Sequence, residues 1–238
     1  MNPPTAISAP SNSNSRRRFV FSLLLLLILL VSRTAGFAAK KKPNKVNKKG
    51  GNAASSNKGF GAAPPSLDEV AQKFKTRLPE NPDNLPCPCE SGDVYASCCA
   101  PYHRREKLPE TPLRVLQSRY SAFAWRLVPH IIETTHPTCR DYRDNKVNWA
   151  KDLNKGGMFD SFEFVELKAG PTEFPEESDS KAYIDFEVRL RSIEGEKQET
   201  IVQEKSLFLK DLETDSWLYA TGEVRSNVVG LEDTVLNK

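Results

Sequence analysis

Four of the chain's five cysteines, Cys87, Cys89, Cys98 and Cys99, fall within thirteen residues in the pattern C-x-C-x8-C-C, and the fifth, Cys139, stands apart. Thiolates at this density form a tetrahedral zinc site in a reducing compartment, because Zn2+ accepts four soft sulfurs and imposes no further geometric demand. Pro86 and Pro88 stiffen the entry to the first pair, and Ser91-Gly92 supplies the turn that returns the chain to the second. Val94 and Tyr95 are left to cover the metal. Protein sulfur saturates such a site, so the zinc is structural. His103, four residues past Cys99, is an alternate ligand, since imidazole also serves zinc. The competing arrangement is two disulfides in an oxidising compartment; the adjacency of Cys98 and Cys99 argues against it, because two bridges in so small a loop would be strained.

Other chemistries leave no trace: there is no Gly-rich phosphate loop, no H-E-x-x-H and no G-x-S-x-G elbow. Cys139 lies three residues from His136, but a lone cysteine after a helix end reads as an ordinary residue rather than a nucleophile.

The elements that must carry the cysteine loop are legible from periodicity. Ser66 caps a predicted helix over residues 68–77 that begins with acids and ends with bases, and the proline-rich stretch 78–86 is a spacer. After the loop, Thr111 is an N-cap with Pro112 at the first helical position, and Leu113, Leu116, Tyr120, Phe123 and Leu127 share one face of a helix running to about Arg126. Pro129 restarts a second helix whose Ile131, Ile132 and Thr135 turn inward, and a third runs over 145–155 until Gly156-Gly157. The period then changes to two. Strands are predicted over 162–168, 182–191, 201–210 and 217–224, with a hairpin turn at Glu194-Gly195. Helices followed by consecutive antiparallel strands describe an α+β domain, with the cysteine loop as a second, separate core. Tyr120 and Trp217 read as core aromatics.

The loop resembles the SEC-C motif, best known from the C-terminal tail of the preprotein translocase motor, although that motif usually has Gly where this chain has Glu90 and Ala100. Cys98-Cys-x-Pro-Tyr-His103, Ser118-Arg-Tyr-Ser-Ala-Phe123, His136-Pro137, Glu204-x-Ser-x-Phe208 and the Trp-x-Tyr stretch ending in Gly222 occur in that order, and together they resemble the bacterial YchJ family. That family often has Trp where this chain has Thr135. The resemblance implies a SEC-C knuckle ahead of a nuclear transport factor 2-like cone, in which helices close the concave side of a curved antiparallel sheet around a cavity. It also implies, by analogy with the translocase motor, a knuckle that contacts a macromolecular partner, with the cone holding a small ligand or peptide.

Arg119, His136 and Glu204 are the polar positions that match the family pattern near such a cavity. One reading makes His136 or Glu204 a general base and Arg119 an anion clamp in a small-molecule enzyme. The other makes Arg119 and Glu204 a buried ion pair with His136 capping the second helix, in a binding or adaptor module; this is the reading adopted. The charged outer face of the sheet, Tyr183 to Arg191, neither demands nor forbids pairing of two copies through it.

Composition sets the first quarter apart. Residues 1–60 contain eleven Lys or Arg and no acid, whereas residues 61–238 carry 23 basic and 31 acidic side chains, a poor surface for phosphate backbones, so no nucleic-acid partner is expected. Arg16-Arg17-Arg18, the apolar run Phe19 to Val31 and the small residues Thr34, Ala35 and Gly36 read as a secretory signal peptide, and the run is too short for a stable membrane span. The lysine-rich stretch that follows cannot bury a core and reads as a transit peptide. Ala35-Gly-Phe-Ala-Ala39 resembles the signal-to-transit junction of algae with secondary plastids, which implies a plastid address through the secretory pathway; secretion or an endomembrane lumen is the alternative. The organisation is thus a signal peptide (1–36), a basic transit peptide or linker (37–65), a short helix and spacer (66–82), the knuckle (83–105), the cone domain (108–225) and a tail (226–238). N-terminal sequencing of protein from its native cell is expected to find both leader segments removed; a start at Met1 would reject this, and a start at Phe37 would leave only secretion.

Overall fold

The computed structural model describes residues 63–155, 157–195 and 197–225; the signal and transit segments and the tail lie outside them. In order these residues form α1 (Leu67–Ala71), a 3-10 turn (Tyr95–Ser97), α2 (Ala100–His103), α3 (Pro112–Trp125), α4 (Val128–Glu133), α5 (Lys146–Lys155), α6 (Met158–Ser161) and strands β1 (Phe162–Glu173), β2 (Lys181–Ser192), β3 (Glu199–Lys210) and β4 (Trp217–Arg225). The strands form one antiparallel meander in the order β1-β2-β3-β4, so the fold is α+β as expected.

α1 starts where predicted, with Ser66 and Glu69 forming a reciprocal capping box, but it stops at Ala71 rather than Arg77. Tertiary bonds take the chain away: the backbone N–H of Arg77 and the hydroxyl of Thr76 both donate to the carbonyl of Trp125, and the Arg77 guanidinium donates to that of Phe162. Exposed basic residues offer α1 only dipole compensation, weaker than these bonds to the body of the protein.

α3 is capped by the Thr111 hydroxyl and ends on Arg126, a non-glycine residue in the left-handed conformation at φ 60. That strain is held by tertiary partners. Arg126 pairs with Asp160 at 2.8 Å, donates to the carbonyl and side-chain oxygens of Asn154, and lies over the Phe159 ring. The helix is buried on more than its predicted face. Leu116 and Tyr120 point to the sheet side as expected, while Val115, Ser118, Ser121 and Ala122 are also buried, because the cysteine loop covers the opposite flank.

This overturns the expectation of two separate cores. Cys87, Cys89, Tyr95, Cys98, Cys99 and Ala100 belong to the same contiguous cluster of buried residues as Val115, Ile132, Trp149 and Phe208. Tyr95 meets the ring of Trp125 edge-on at 4.6 Å between centroids. Arg105, also left-handed, clamps the junction by binding both Glu133 and Asp68, which ties α1, the end of α2 and α4 together.

Ala182, Ile184, Phe186, Val188 and Leu190 of β2 face the helices, and on β3 the inward row is Val202, Glu204, Ser206 and Phe208. The opposite face of the sheet is an ion-pair lattice: Arg189 joins Glu166, Arg191 joins Glu199, and Lys205 lies between Glu173 and Asp185. β1 continues past Lys168 to Glu173 despite Gly170-Pro171, through a register shift between Ala169 and Thr172. Proline survives there because β1 is an edge strand and the shift relieves its missing donor. A Cβ at Gly170 would sit 2.8 Å from the carbonyl oxygen of Asp185, so the neighbouring strand also requires glycine at this point. On the other edge, residues 134–136 run beside β4: Tyr219 N–H donates to Thr134 C=O and His136 N–H to Tyr219 C=O.

With one shared core, the full chain is expected to unfold in urea in a single transition. Tyr95→Ala strips the ring from Trp125 and is expected to lower stability by about 3 kcal/mol. Two resolved transitions, the later one unmoved by the substitution, would show the loop to be an independent unit.

Candidate metal centre and cavity

The cysteine loop closes as two short arms. The backbone N–H of Cys87 donates to Asp93 C=O, Tyr95 N–H to Leu85 C=O, and a bridge joins Pro86 to Val94. Gly92 takes φ 86 and Glu90 φ 62, so the position where SEC-C motifs usually have glycine is left-handed here too, at a cost on the order of 1 kcal/mol for a side chain. All four cysteines are free thiols with at most 5% of their surface exposed, and their sulfurs lie within 4.8 Å of one another. The Sγ atoms of Cys89 and Cys98 are 3.4 Å apart and those of Cys98 and Cys99 3.8 Å. A tetrahedron of thiolates about 2.3 Å from a central zinc has edges of about 3.8 Å, so these spacings suit that ion.

Charge points the same way. Hydrogen bonds from Cys87 and then Cys99 draw the Cys89 thiol down to about 2, while bonds to its sulfur neighbours, Cys87 foremost, push Cys99 far up. Four crowded thiols cannot all ionise without a cation among them. The Ser91 hydroxyl lies 3.1 Å from Cys98 Sγ, and the Arg114 guanidinium reaches from α3 to 3.8 Å from the same sulfur. These are the donors that hold a thiolate in place and reduce the negative charge of a metal–thiolate cluster.

His103 is engaged elsewhere. Its Nε2 lies 2.9 Å from the carbonyl of Ser118, which can only accept, so Nδ1 is the acceptor for the Tyr95 hydroxyl at 2.9 Å. Burial lowers its pKa to about 4. It packs edge-on against His130, a buried histidine that reading the sequence does not single out, because it occupies a helix position with no periodic partner. Val94 is 44% exposed and leaves the covering of the thiols to Tyr95.

The second site is a cavity between α3, α5 and the concave face of the sheet, with about 60 Å3 open to the centres of water-sized molecules. Leu116, Phe123, Trp149, Phe164, Phe186 and Phe208 supply much of its wall; Arg119, Thr135, Cys139, Asp141, Glu204, Ser206 and Tyr219 supply polar atoms. Arg119 and Glu204 therefore do share a cavity, but they are not the ion pair expected from the sequence. Arg119 Nη1 donates to the carbonyl of Ile131 at 2.7 Å and to the hydroxyls of Thr134 and Thr135 at 2.9 and 3.0 Å, closing the end of α4. Its guanidinium lies 4.5 Å from the centre of the Tyr219 ring. Glu204 accepts from Ser206 at 2.5 Å and from the Tyr219 hydroxyl at 3.2 Å. Tyr219 thus joins the two charges. The carbonyl end of α4 and two threonine hydroxyls take up the guanidinium before the carboxylate across the cavity can, and this competition is invisible in sequence.

His136 is not in the cavity wall. It sits half-buried outside, and its Nδ1 accepts from the backbone N–H of Thr138 at 3.2 Å in a tight local turn rather than capping α4. Cys139 does line the cavity, where burial pushes its thiol pKa up, so it is no poised nucleophile.

Gly222 shows how Glu204 is accommodated: a Cβ there would land on the Glu204 carboxylate. Gly222→Ala is expected to displace that carboxylate from Ser206 and Tyr219 and to cost about 2 kcal/mol, read as a lower urea midpoint. Adding Glu204→Ala should recover the steric part; an additive double variant would contradict the contact.

Two family models match the chain: the SEC-C motif over residues 84–101, and the YchJ middle NTF2-like domain over residues 111–222. A UPF0225 protein of Sodalis glossinidius is 31% identical over 137 residues, spanning 58% of this chain and 82% of the relative. The UPF0225 protein YchJ of Shigella dysenteriae is 32% identical over 139 residues, 57% of this chain and 81% of the relative. A solved SEC-C motif containing protein from Rhodopseudomonas palustris shares 30% identity over 58% of this chain and 98% of its own, with a TM-score of 0.48. With the cysteine loop and the α+β body both accounted for, the chain belongs to the YchJ (UPF0225) family, in which a SEC-C motif precedes a nuclear transport factor 2-like domain.

Proposed function

We propose that the chain is a zinc-binding adaptor whose knuckle contacts a protein partner and whose cone holds a small ligand or peptide. The observation that carries this reading is the separation of His136 from the cavity shared by Arg119 and Glu204, which leaves the most versatile acid–base candidate out of reach of any bound molecule. Cys87, Cys89, Cys98 and Cys99 would hold the zinc, which supplies cross-linking of the loop and, with four sulfurs around it, no open position for substrate. The outward side of the loop presents Leu85 and Val94, 40% and 44% exposed, as apolar contact points for a partner. A plastid address is part of the proposal, because four free thiolates persist in a stroma more readily than in an oxidising lumen. The relatives named above are bacterial, and the leader lies outside the described residues.

A second reading has one observation in its favour: Arg119 and Glu204 both face the cavity, as an anion clamp and a general base would. Turnover of a bound molecule that Glu204→Gln abolishes while leaving binding intact would replace the adaptor reading with an enzymatic one.

Metal analysis of the purified full chain is expected to give one zinc per chain, lost together with stability in Cys89→Ser. Native protein containing two disulfides and no metal would reject the zinc site.

A further inference from the structure

Arg119 is a cation in an unusual position. It is 8% exposed, and among the described residues it forms no ion pair. Its Nη1 is saturated by Ile131, Thr134 and Thr135, yet Nε and Nη2 have no acceptor among the described residues. Those two nitrogens are not among the polar atoms sealed from solvent without a partner, and Arg119 lines the cavity, so they open onto the cavity space. Nε–H and the adjacent Nη2–H form the side-on edge of the guanidinium, whose two parallel donors match the two oxygens of a carboxylate. A buried guanidinium with no acidic group in contact is costly; Glu204 acts on it only across the cavity and offsets part of that cost, and a ligand carboxylate on the open edge would remove more of it.

The rest of the wall fixes the remainder of the molecule. Phe164, Phe186 and Trp149 form apolar, mostly aromatic surface against which a planar ring packs well. Glu204 is the obvious objection, since it would repel an anion. Its carboxylate receives the hydroxyls of Ser206 and Tyr219, and the Tyr219 ring stacks on the guanidinium, so Glu204 is linked to Arg119 through Tyr219 while the side-on edge is left to the ligand.

We infer that the cone cavity is a binding site for a small aromatic carboxylic acid, its carboxylate held side-on by Arg119 and its ring against Phe164 and Phe186. This rests on the reading that the cone holds a small ligand and names the ligand's chemical class.

Titration calorimetry on the full chain tests it with benzoate and phenylacetate against the uncharged isosteres benzamide and phenylacetamide. The acids are expected to bind at least tenfold more tightly than their amides, since a charge-assisted bidentate contact is being removed. Arg119→Lys keeps the charge but loses the fork, and is expected to erase that preference. Equal binding of acids and amides would overturn the carboxylate assignment while leaving a ligand-binding cavity intact; failure of all four to bind would sink both. N-acetyl-glycyl-phenylalanine presents a carboxylate on a peptide chain and is expected to bind at least tenfold more weakly than phenylacetate; equal affinity would overturn the free-acid form in favour of a chain terminus. If Arg119→Lys does not fold, the acid–amide comparison on the unaltered chain decides alone.

Discussion

The contact on which the molecule depends is the packing of one helix, α3, between a cysteine loop and a sheet. Tyr95 against Trp125, Arg114 toward Cys98, and His103 onto the Ser118 carbonyl bind one flank; Leu116, Arg119 and Tyr120 face the other. Small residues at 118, 121 and 122 let the loop approach the helix backbone closely, which a larger side chain would prevent. The cysteine cluster and the cavity are thus built on two sides of the same fourteen-residue helix.

The local rules were readable in the chain. Thr111-Pro112 at the start of α3 and the alternation of β2 follow from backbone chemistry acting within a few residues. What could not be read was decided by partners distant in sequence. α1 is cut short because Trp125 and Phe162 offer hydrogen bonds to Thr76 and Arg77, some fifty and eighty-five positions away. β1 outruns its predicted end because an edge strand tolerates Pro171, and edge status is a property of the assembled sheet. At the sites, the four thiols announced themselves by spacing. Arg119 and Glu204 line one cavity but do not pair, because charge alone predicts attraction and says nothing of the helix end and the phenol that intervene. His136, which the resemblance sets near them, lies outside the cavity with its ring in a local turn. His130, buried and without a motif, gave no signal at all.

A four-stranded meander has two open rims, and a bare rim is a template on which another chain can add a strand and begin to aggregate. One rim is broken by Gly170-Pro171, which removes a donor and throws the register; the other is shielded by residues 134–136, whose backbone groups already bond to Tyr219. The protection on that second side is borrowed from the segment that leads out of α4, which Arg119 holds by its last turn. The guanidinium that faces the cavity therefore also anchors the guard of the exposed strand, so that loosening it would uncover that rim.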